Sequence, residues 1–301
     1  MHWKKLGQLY APESAHPKLA SHAANPLAEP LNGDVYRVFY SGRDKQNRSS
    51  VGFVDVDIVR RKTVHIPENA EFEHGPAGSF YSHGVSIGNS YEADGQRYIL
   101  FMGWQRPLGG HWRGDIGRLI LGANLSLRLD SNEPFMSTDA IDRVSLSYPW
   151  VIQEGKDKYH MWYGSTITWD GGNGEMVHVI NHAASKNGHT WMRDGLAVPY
   201  QLGTAQAFSR PSVIGNRHDG YHMWFSYRSG NGENYRIGYA TSSDCKTWDL
   251  KLAEAGIDVS PAGWDSEMIE YPFVFEHKGQ RYMLYNGNGH GRSGFGLAVL
   301  E

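Results

Sequence analysis

The 301-residue chain is poor in cysteine, in net charge and in long apolar segments, and each shortage excludes a class of protein. Its single cysteine, Cys245, cannot form an intramolecular disulfide, so the fold does not depend on an oxidising compartment. With 29 Lys and Arg against 32 Asp and Glu, the net charge of −3 lacks the basic excess of nucleic-acid-binding proteins. No segment reaches the ~18 apolar residues of a membrane span, and no signal-peptide core follows the N-terminus. We therefore expect a cytoplasmic protein that binds neither nucleic acid nor membrane.

Glycine and aromatic residues are abundant instead. The chain contains 36 Gly, 17 Tyr, 11 Phe and 10 Trp, and 40% of its residues are hydrophobic. This composition excludes intrinsic disorder and favours strands and turns over helices. The sequence therefore predicts an all-β protein.

Five segments along the chain share one strand pattern, exemplified by DKYHMWYGS and DGYHMWFSYR. Their leading tyrosines are separated by 62, 61, 62 and 61 residues, and they are Tyr36, Tyr98, Tyr159, Tyr221 and Tyr282. A spacing this regular indicates an internal repeat of about 60 residues, which is typical of propellers and solenoids.

Ten residues before four of these tyrosines, a proline opens a short apolar run; the prolines are Pro26, Pro149, Pro211 and Pro272. The second unit has Gly84 in this place. Each unit therefore predicts a short buried strand, a turn, an aromatic strand, a loop and a third strand. A fourth, outer strand is marked by a tryptophan, at Trp191 and Trp248.

This pattern predicts a single all-β domain over residues 1–301, a five-bladed β-propeller with four antiparallel strands per blade. The blades cover about residues 20–66, 80–130, 143–196, 206–254, and 264–301 together with 1–8. Trp191 and Trp248 are 57 residues apart. The residues that follow Trp248, together with the first three residues up to Trp3, give a nearly equal spacing of 56. We therefore expect the N-terminal strand to join the last blade and close the ring.

In a propeller, the starts of the first strands and the loops between second and third strands line one funnel. These positions are rich in polar and aromatic residues, which core packing would not select. The substrate-binding candidates are Asn25, Arg43, Asp44, His83, Trp104, Tyr148, Trp169, Arg210, Arg228, Tyr271, Asn288 and His290.

Pro-x-Val-Ile followed by YHMWY or YMLY, and then by IGYA-S-x-D-x-x-x-W, resembles the five-bladed propeller glycoside hydrolases and phosphorylases. These are the arabinanase and xylosidase group, the invertase group and the mannoside phosphorylases, and the likeness covers essentially the whole chain. The hydrolases of this group use an Asp before the first-blade proline as base, a second-blade Asp that tunes pKa, and a Glu as general acid. This chain has Asn25 and His83 at the two Asp positions, whereas the Glu of MIEYP, Glu270, resembles the acid.

Three carboxylates in GWDSEMIEYP are therefore the catalytic candidates, with Glu270 first and Glu267 and Asp265 after it. A pair two residues apart in an extended chain spans close to 7 Å, within the range that glycoside hydrolysis uses. Asp265 as a turn cap and Glu267 as a solvated loop residue are the structural alternatives.

The arginines at funnel positions, Arg43, Arg210 and Arg228, favour an anionic ligand because guanidinium groups match carboxylate and phosphate groups. The alternative is that each pairs with a nearby carboxylate such as Asp44 or Glu270. No metal-binding motif is present and no cofactor is required, although His83 could hold an axial cation.

The sequence thus predicts an enzyme that cleaves or transfers a glycosyl unit of a carboxylated or phosphorylated saccharide. The partner would be a small saccharide or a sugar phosphate, and phosphate as nucleophile would suit a site without the first-blade Asp. A non-catalytic glycan-binding propeller and an enzyme of non-glycosidic chemistry stay open.

Overall fold

The computed structural model describes residues 1–13 and 16–301, and strands make up most of this part of the chain. It begins with β1 (Trp3–Tyr10). The other strands follow as four groups of four and a last group of three.

The five groups follow one another along the chain. The first contains β2 (Ser21–Asn32), β3 (Val35–Arg43), β4 (Ser49–Asp57) and β5 (Lys62–His65). The second contains β6 (Gly84–Ala93), β7 (Gln96–Gln105), β8 (Arg113–Leu121) and β9 (Leu127–Leu129). The third contains β10 (Leu146–Gly155), β11 (Lys158–Thr168), β12 (Val177–Ser185) and β13 (Met192–Leu196). The fourth contains β14 (Ala207–Asn216), β15 (Gly220–Arg228), β16 (Arg236–Ser242) and β17 (Asp249–Leu250). The last contains β18 (Glu270–His277), β19 (Gln280–Asn286) and β20 (Phe295–Leu300).

Within each group, strands that are neighbours in sequence pair antiparallel. A single parallel bridge, Ser49 to Gly84, connects the first group to the second, and another, His178 to Ala207, connects the third to the fourth. The first strands of successive groups contact one another, and β18 also contacts β2. The all-β prediction is therefore confirmed.

The last sheet has the order β1-β20-β19-β18, so the N-terminal strand pairs antiparallel with the C-terminal one. The register runs from Trp3 opposite Leu300 to Tyr10 opposite Phe295. β1 thus occupies the outer position that β17 holds in the fourth group, because β17 likewise pairs with the third strand of its group.

Tryptophans pack between neighbouring groups. Trp248, which directly precedes β17, lies edge-on to Trp162 of β11 with ring centroids 5.6 Å apart. Trp3 has the same relationship with Trp224 of β15, at 5.5 Å. Burying such rings contributes a large share of the hydrophobic stabilisation, and the edge-on geometry adds to it.

Trp191 and Trp248 directly precede the outer strands β13 and β17, and both rings pack against the hydrophobic core. The helical segments of the described residues are Pro17–Leu19, Leu252–Glu254 and Asn288–Gly291. None of these segments has the length and apolar character needed to cross a membrane.

The residue before each of the four repeat prolines has a left-handed backbone: φ is 56° at Asn25, 38° at Tyr148, 45° at Arg210 and 53° at Tyr271. The strand register shifts across each of these positions. Such bulges re-aim side chains, and a non-glycine residue in this conformation costs on the order of 1–3 kcal/mol. The rest of the sheet must therefore stabilise these four strained positions.

Candidate functional site

A cavity of about 540 Å³ opens where the first strands begin. All five groups contribute to its wall, with Asn25 from the first, His83 from the second, Tyr148 from the third, Ser209 from the fourth and Tyr271 from the last. A volume of this size accommodates a small organic ligand. The strained residues Asn25, Tyr148 and Tyr271 therefore all contribute to the wall of one cavity.

Three arginines line this cavity: Arg43, Arg106 and Arg228. Arg43 donates to the side-chain oxygen of Asn47 at 3.0 Å, and neither it nor Arg106 forms an ion pair among the described residues. Arg228 is paired with Glu175 at 2.7 Å and lies over the Tyr235 ring. Two of the three positive charges therefore have no carboxylate of the described chain to neutralise them.

Asp and Glu are absent from the described residues that line the cavity. A glycosidase of the ordinary kind needs two carboxyl groups about 5 to 9.5 Å apart on either side of the scissile bond. The cavity instead presents arginine, histidine, amide, hydroxyl and aromatic groups. Its lining is therefore suited to an anion.

Glu270, the leading catalytic candidate, is completely buried and does not line the cavity. Its carboxylate lies 3.1 Å from Nδ1 of His290, a histidine that does line the cavity and whose side chain is 44% exposed. Glu270 therefore reaches the cavity through His290. The sequence motif indicated direct contact, but it could not show that the loop before β20 folds over the start of β18.

The other two carboxylate candidates lie away from the cavity. Asp265 is buried in an ion pair of 2.8 Å with Lys5 of β1, and it accepts a hydrogen bond from the Tyr285 hydroxyl at 3.0 Å. Glu267 is exposed, and its backbone amide donates to Asn288. Asp265 and Glu267 therefore do not face one substrate as the predicted pair, because they lie in a loop and not in an extended strand.

Arg210 is also displaced from its expected role. It is buried, and its guanidinium donates to the backbone carbonyls of Ile87 and Pro26 in the first strands of two other groups. Burial lowers its pKa to about 9, opposed by the nearby Tyr148 and Tyr271 hydroxyls. Arg210 therefore ties strands together beneath the cavity without lining it, and neither Asp44 nor Glu270 pairs with it.

Asp44 and Asn288 organise loops. Asp44 accepts hydrogen bonds from the backbone amides of Gln46 and Arg48 and forms a 2.8 Å ion pair with Arg48. Although burial opposes it, this bonding lowers the pKa of Asp44. The side-chain oxygen of Asn288 accepts from the amides of Glu267 and Met268. Neither residue lines the cavity.

Aromatic rings form much of the wall. Trp104 and the pair Tyr148 and Tyr271, whose hydroxyls are 3.3 Å apart, line the cavity as expected. Trp169 does not line the cavity. Its ring stacks on that of His111, which does, with the ring centroids 4.6 Å apart. Sugar rings have apolar faces that stack on such surfaces.

Several lining residues escaped the sequence prediction, among them His111, Trp112, His178 and Tyr235. His111 and Trp112 belong to the loop between β7 and β8, so the rule that selected Trp104 would have found them. Burial lowers the pKa of His178 to about 3, and its ring nitrogens bond to Ser147 at 2.6 Å and Thr166 at 2.7 Å. His178 is therefore neutral and rigidly held. His83 accepts from the amide of Arg106 at 3.3 Å, and none of the described cavity-lining residues beside it is a carboxylate that would help to hold a cation.

The chain resembles solved glycoside hydrolases over almost its full length. A glycoside hydrolase superposes with a TM-score of 0.72 at 14% identity, covering 98% of this chain and 90% of the other. The endo-arabinase of Bacteroides thetaiotaomicron gives 0.62 at 12% identity, covering 95% and 96%. Sucrose-6-phosphate hydrolase of Lactobacillus gasseri gives 0.61 at 13%, covering 93% of this chain and 60% of the enzyme. At such identities the likeness shows the fold, that of the glycoside hydrolase propellers, and not the activity.

No family model matches the sequence. Two relatives in Mycobacterium tuberculosis are each 45% identical over 304 residues, spanning 100% of both chains. They are Uncharacterized protein Rv1502 of strain H37Rv and Uncharacterized protein MT1551 of strain CDC 1551. The chain therefore belongs to the family of these mycobacterial proteins and has a fold related to that of the propeller glycoside hydrolases.

Proposed function

We propose that the five strand groups are the blades of a propeller whose ring is completed by β1, and that the central cavity is an active site. The contacts among successive first strands, and between β18 and β2, support this arrangement. So does the pairing of β1 with β20, which leaves β20 paired on both sides.

The enzyme we propose cleaves or transfers a glycosyl unit of an anionic saccharide, either carboxylated or phosphorylated. The observation that carries this proposal is the convergence of Arg43, Arg106 and Arg228 on a cavity whose described lining has no carboxylate. Charge-assisted bidentate bonds from arginine recognise both anions. One structural neighbour is named a sucrose-6-phosphate hydrolase, which is in keeping with a sugar phosphate.

His290 is the proposed proton donor. Its Nδ1 lies 3.1 Å from the buried Glu270 carboxylate, which orients the ring, and its Nε2 would carry the proton to be donated. As the glycosidic carbon–oxygen bond breaks, the leaving oxygen takes this proton, and an incoming oxygen forms the new bond to the anomeric carbon. Glu270 acts through His290 and is therefore a positioning residue.

The incoming oxygen fits inorganic phosphate better than water. Water must lose a proton as it attacks, and none of the described lining residues is a carboxylate that could accept it. Phosphate attacks as an anion and needs no base, and the arginines would orient it. A phosphorylase thus needs only one acid from the protein.

A glycan-binding protein without catalytic activity is the second candidate. It is favoured by the same shortage of carboxylates, and by aromatic walls that bind sugars without chemistry.

The test is to incubate the protein with carboxylated, phosphorylated and neutral saccharides, with and without inorganic phosphate, and to measure released sugar phosphate and reducing sugar. Phosphate-dependent turnover of an anionic saccharide, reduced in Arg43→Ala, is the expected result. Binding without turnover supports the second candidate, and a preference for neutral saccharides overturns the proposal.

A further inference from the structure

A second cluster of reactive side chains lies far from the cavity, between the third and fourth strand groups. Glu154 of β10, His160 of β11 and Cys245, in the turn after β16, each offer one possible ligand atom, and these atoms lie within 4.8 Å of one another. Glu154 is six residues beyond Tyr148 on the same strand, which places it about 20 Å from the cavity wall. The cluster is therefore separate from the proposed active site.

Its residue types match one metal in particular. Thiolate, imidazole and carboxylate together suit Zn²⁺, whose bonds of about 2.0 to 2.3 Å place tetrahedral ligand atoms about 3.3 to 3.8 Å apart. The three ligand atoms lie within 4.8 Å of one another, so a modest movement of the side chains would bring them to these distances. His160 and Cys245 are each only 1% exposed, so the site is closed to solvent as structural zinc sites are.

The ring nitrogen of His160 that does not face Glu154 has a hydrogen-bonding partner, as the second nitrogen of a metal-binding histidine usually does. Nδ1 of His160 lies 2.8 Å from Nε2 of His182, and Nδ1 of His182 lies 2.9 Å from the carboxylate of Asp194. Such outer partners fix the tautomer and orientation of a ligating histidine.

The carboxylates at the two ends of this chain of groups already have cationic partners. Lys158 and Arg217 contact Glu154, and Lys246 lies 3.0 Å from Asp194. Nε2 of His160 lies 3.0 Å from the Glu154 carboxylate, so a metal ion bound between these two groups would replace Lys158 and Arg217.

The surroundings can adapt to such an ion. Lys158 and Arg217 now contact Glu154, but their side chains are 41% and 71% exposed, so both can withdraw into solvent. The Tyr221 hydroxyl interacts with both Cys245 and Glu154, yet it makes no hydrogen bond of good geometry within the described residues. It is placed to complete the fourth position directly or through a water.

We propose that Glu154, His160 and Cys245 form a structural zinc site that fastens the third strand group to the fourth. This inference does not depend on the proposed function, because the cavity shares none of these residues.

Cobalt provides the sharpest test, since Cys245 is the only cysteine of the chain. Any thiolate-to-cobalt charge-transfer band in the near ultraviolet must therefore come from this residue. The chelator-treated protein is titrated with Co²⁺ and then with Zn²⁺, and thermal unfolding is followed with and without Zn²⁺. We expect one Co²⁺ per chain with tetrahedral spectra, displacement by Zn²⁺, and a higher melting temperature in the zinc form.

Three variants make the test specific. Cys245→Ser should abolish the charge-transfer band, and His182→Asn should weaken Zn²⁺ binding by about 10-fold to 100-fold as an outer partner. His218→Gln changes an exposed histidine beside Arg217 and should bind like the wild type. Absence of the band in folded wild-type protein, or equal zinc affinity in Cys245→Ser, overturns the site.

Discussion

Lys5, in the first strand of the chain, forms a 2.8 Å ion pair with Asp265, which lies in the loop before the last group of strands. The side chain of Asp265 is 3% exposed, and that of Lys5 is 23% exposed. The neighbouring Lys4 also forms a 2.8 Å ion pair, with Glu301, but the side chains of Lys4 and Glu301 are 59% and 48% exposed. The two lysines thus offer a matched comparison of a buried and a surface pair on one strand.

We expect Lys5→Ala to lower the free energy of unfolding by about 1 to 3 kcal/mol, because it leaves the Asp265 carboxylate buried and without its cation. Lys4→Ala should cost less than about 1 kcal/mol, since exposed ion pairs contribute little. Urea unfolding measures both. Equal losses of stability in the two variants would mean that β1 is held in the last sheet by its pairing with β20 and not by this ion pair.

Arg43 is the cleanest probe of anion binding, because among the described residues it has no carboxylate partner. Arg43→Ala should weaken binding of a phosphorylated or carboxylated saccharide roughly 10-fold to 100-fold, at about 1.5 to 3 kcal/mol for a charge-assisted bond. Binding of the neutral analogue should change little. Arg60→Ala, which removes an arginine with an 84% exposed side chain, is the control in calorimetric titrations.

Replacing Arg210 should lower stability and leave saccharide binding largely unchanged, the opposite of what we expect for Arg43. Replacing it with Met leaves the carbonyls of Ile87 and Pro26 without their donors, at about 1 to 3 kcal/mol each, partly offset because a buried charge is removed. We expect a net loss of roughly 2 kcal/mol in urea unfolding with saccharide affinity largely retained. A loss of affinity without a loss of stability would place Arg210 in the binding site after all.

His290 and Glu270 can be separated by leaving-group chemistry. If the wild type turns over a glycoside, His290→Asn should lower the rate about 100-fold for a poor leaving group and much less for a good one, which needs little proton donation. Glu270→Gln should retain the fold and lower the rate for the poor leaving group less than His290→Asn does, because Glu270 acts only by positioning His290. Equal losses for both substrates would argue against proton donation.

Stability should fall in mild acid. Burial lowers the pKa of His178 to about 3, and burial together with Arg43 lowers that of His22 to about 3, whereas an unfolded histidine titrates near 6.5. As the pH falls below about 6.5, the unfolded chain takes up protons that the folded chain does not bind, so unfolding is favoured. Together the two histidines should remove roughly 3 to 4 kcal/mol between pH 7.5 and 5.

Urea unfolding across this pH range checks the expectation. His178→Gln should reduce the slope of stability against pH, whereas His218→Gln, which changes an exposed residue, should not. A stability that is flat down to pH 5 would contradict it.

The sequence was informative wherever a pattern recurs. The tyrosine spacing predicted the strand groups, and the likeness of Trp3 to Trp248 predicted an outer strand at the N-terminus, where β1 now pairs with β20. These predictions were accessible because every repeat satisfies the same packing requirement, so each copy supports the interpretation of the others.

Residues that act only once were harder to place. Nothing near Asp265 in sequence shows that a lysine 260 positions earlier will neutralise it. Arg210 donates to backbone carbonyls, whereas Tyr148, at the same repeat position and in the same kind of bulge, lines the cavity. The contact of His290 with Glu270 depends on the path of one loop. Side-chain direction at strained positions is a tertiary property, which repeat spacing does not encode.

The pairing of β1 with β20 also determines when the molecule can finish folding. During synthesis Trp3 is made almost 300 residues before its pairing partner Leu300. At about 5 to 20 residues per second, the first strand waits on the order of 15 to 60 seconds with its edge unpaired. Exposed strand edges recruit other chains, so the nascent protein is vulnerable to aggregation until its last strand emerges.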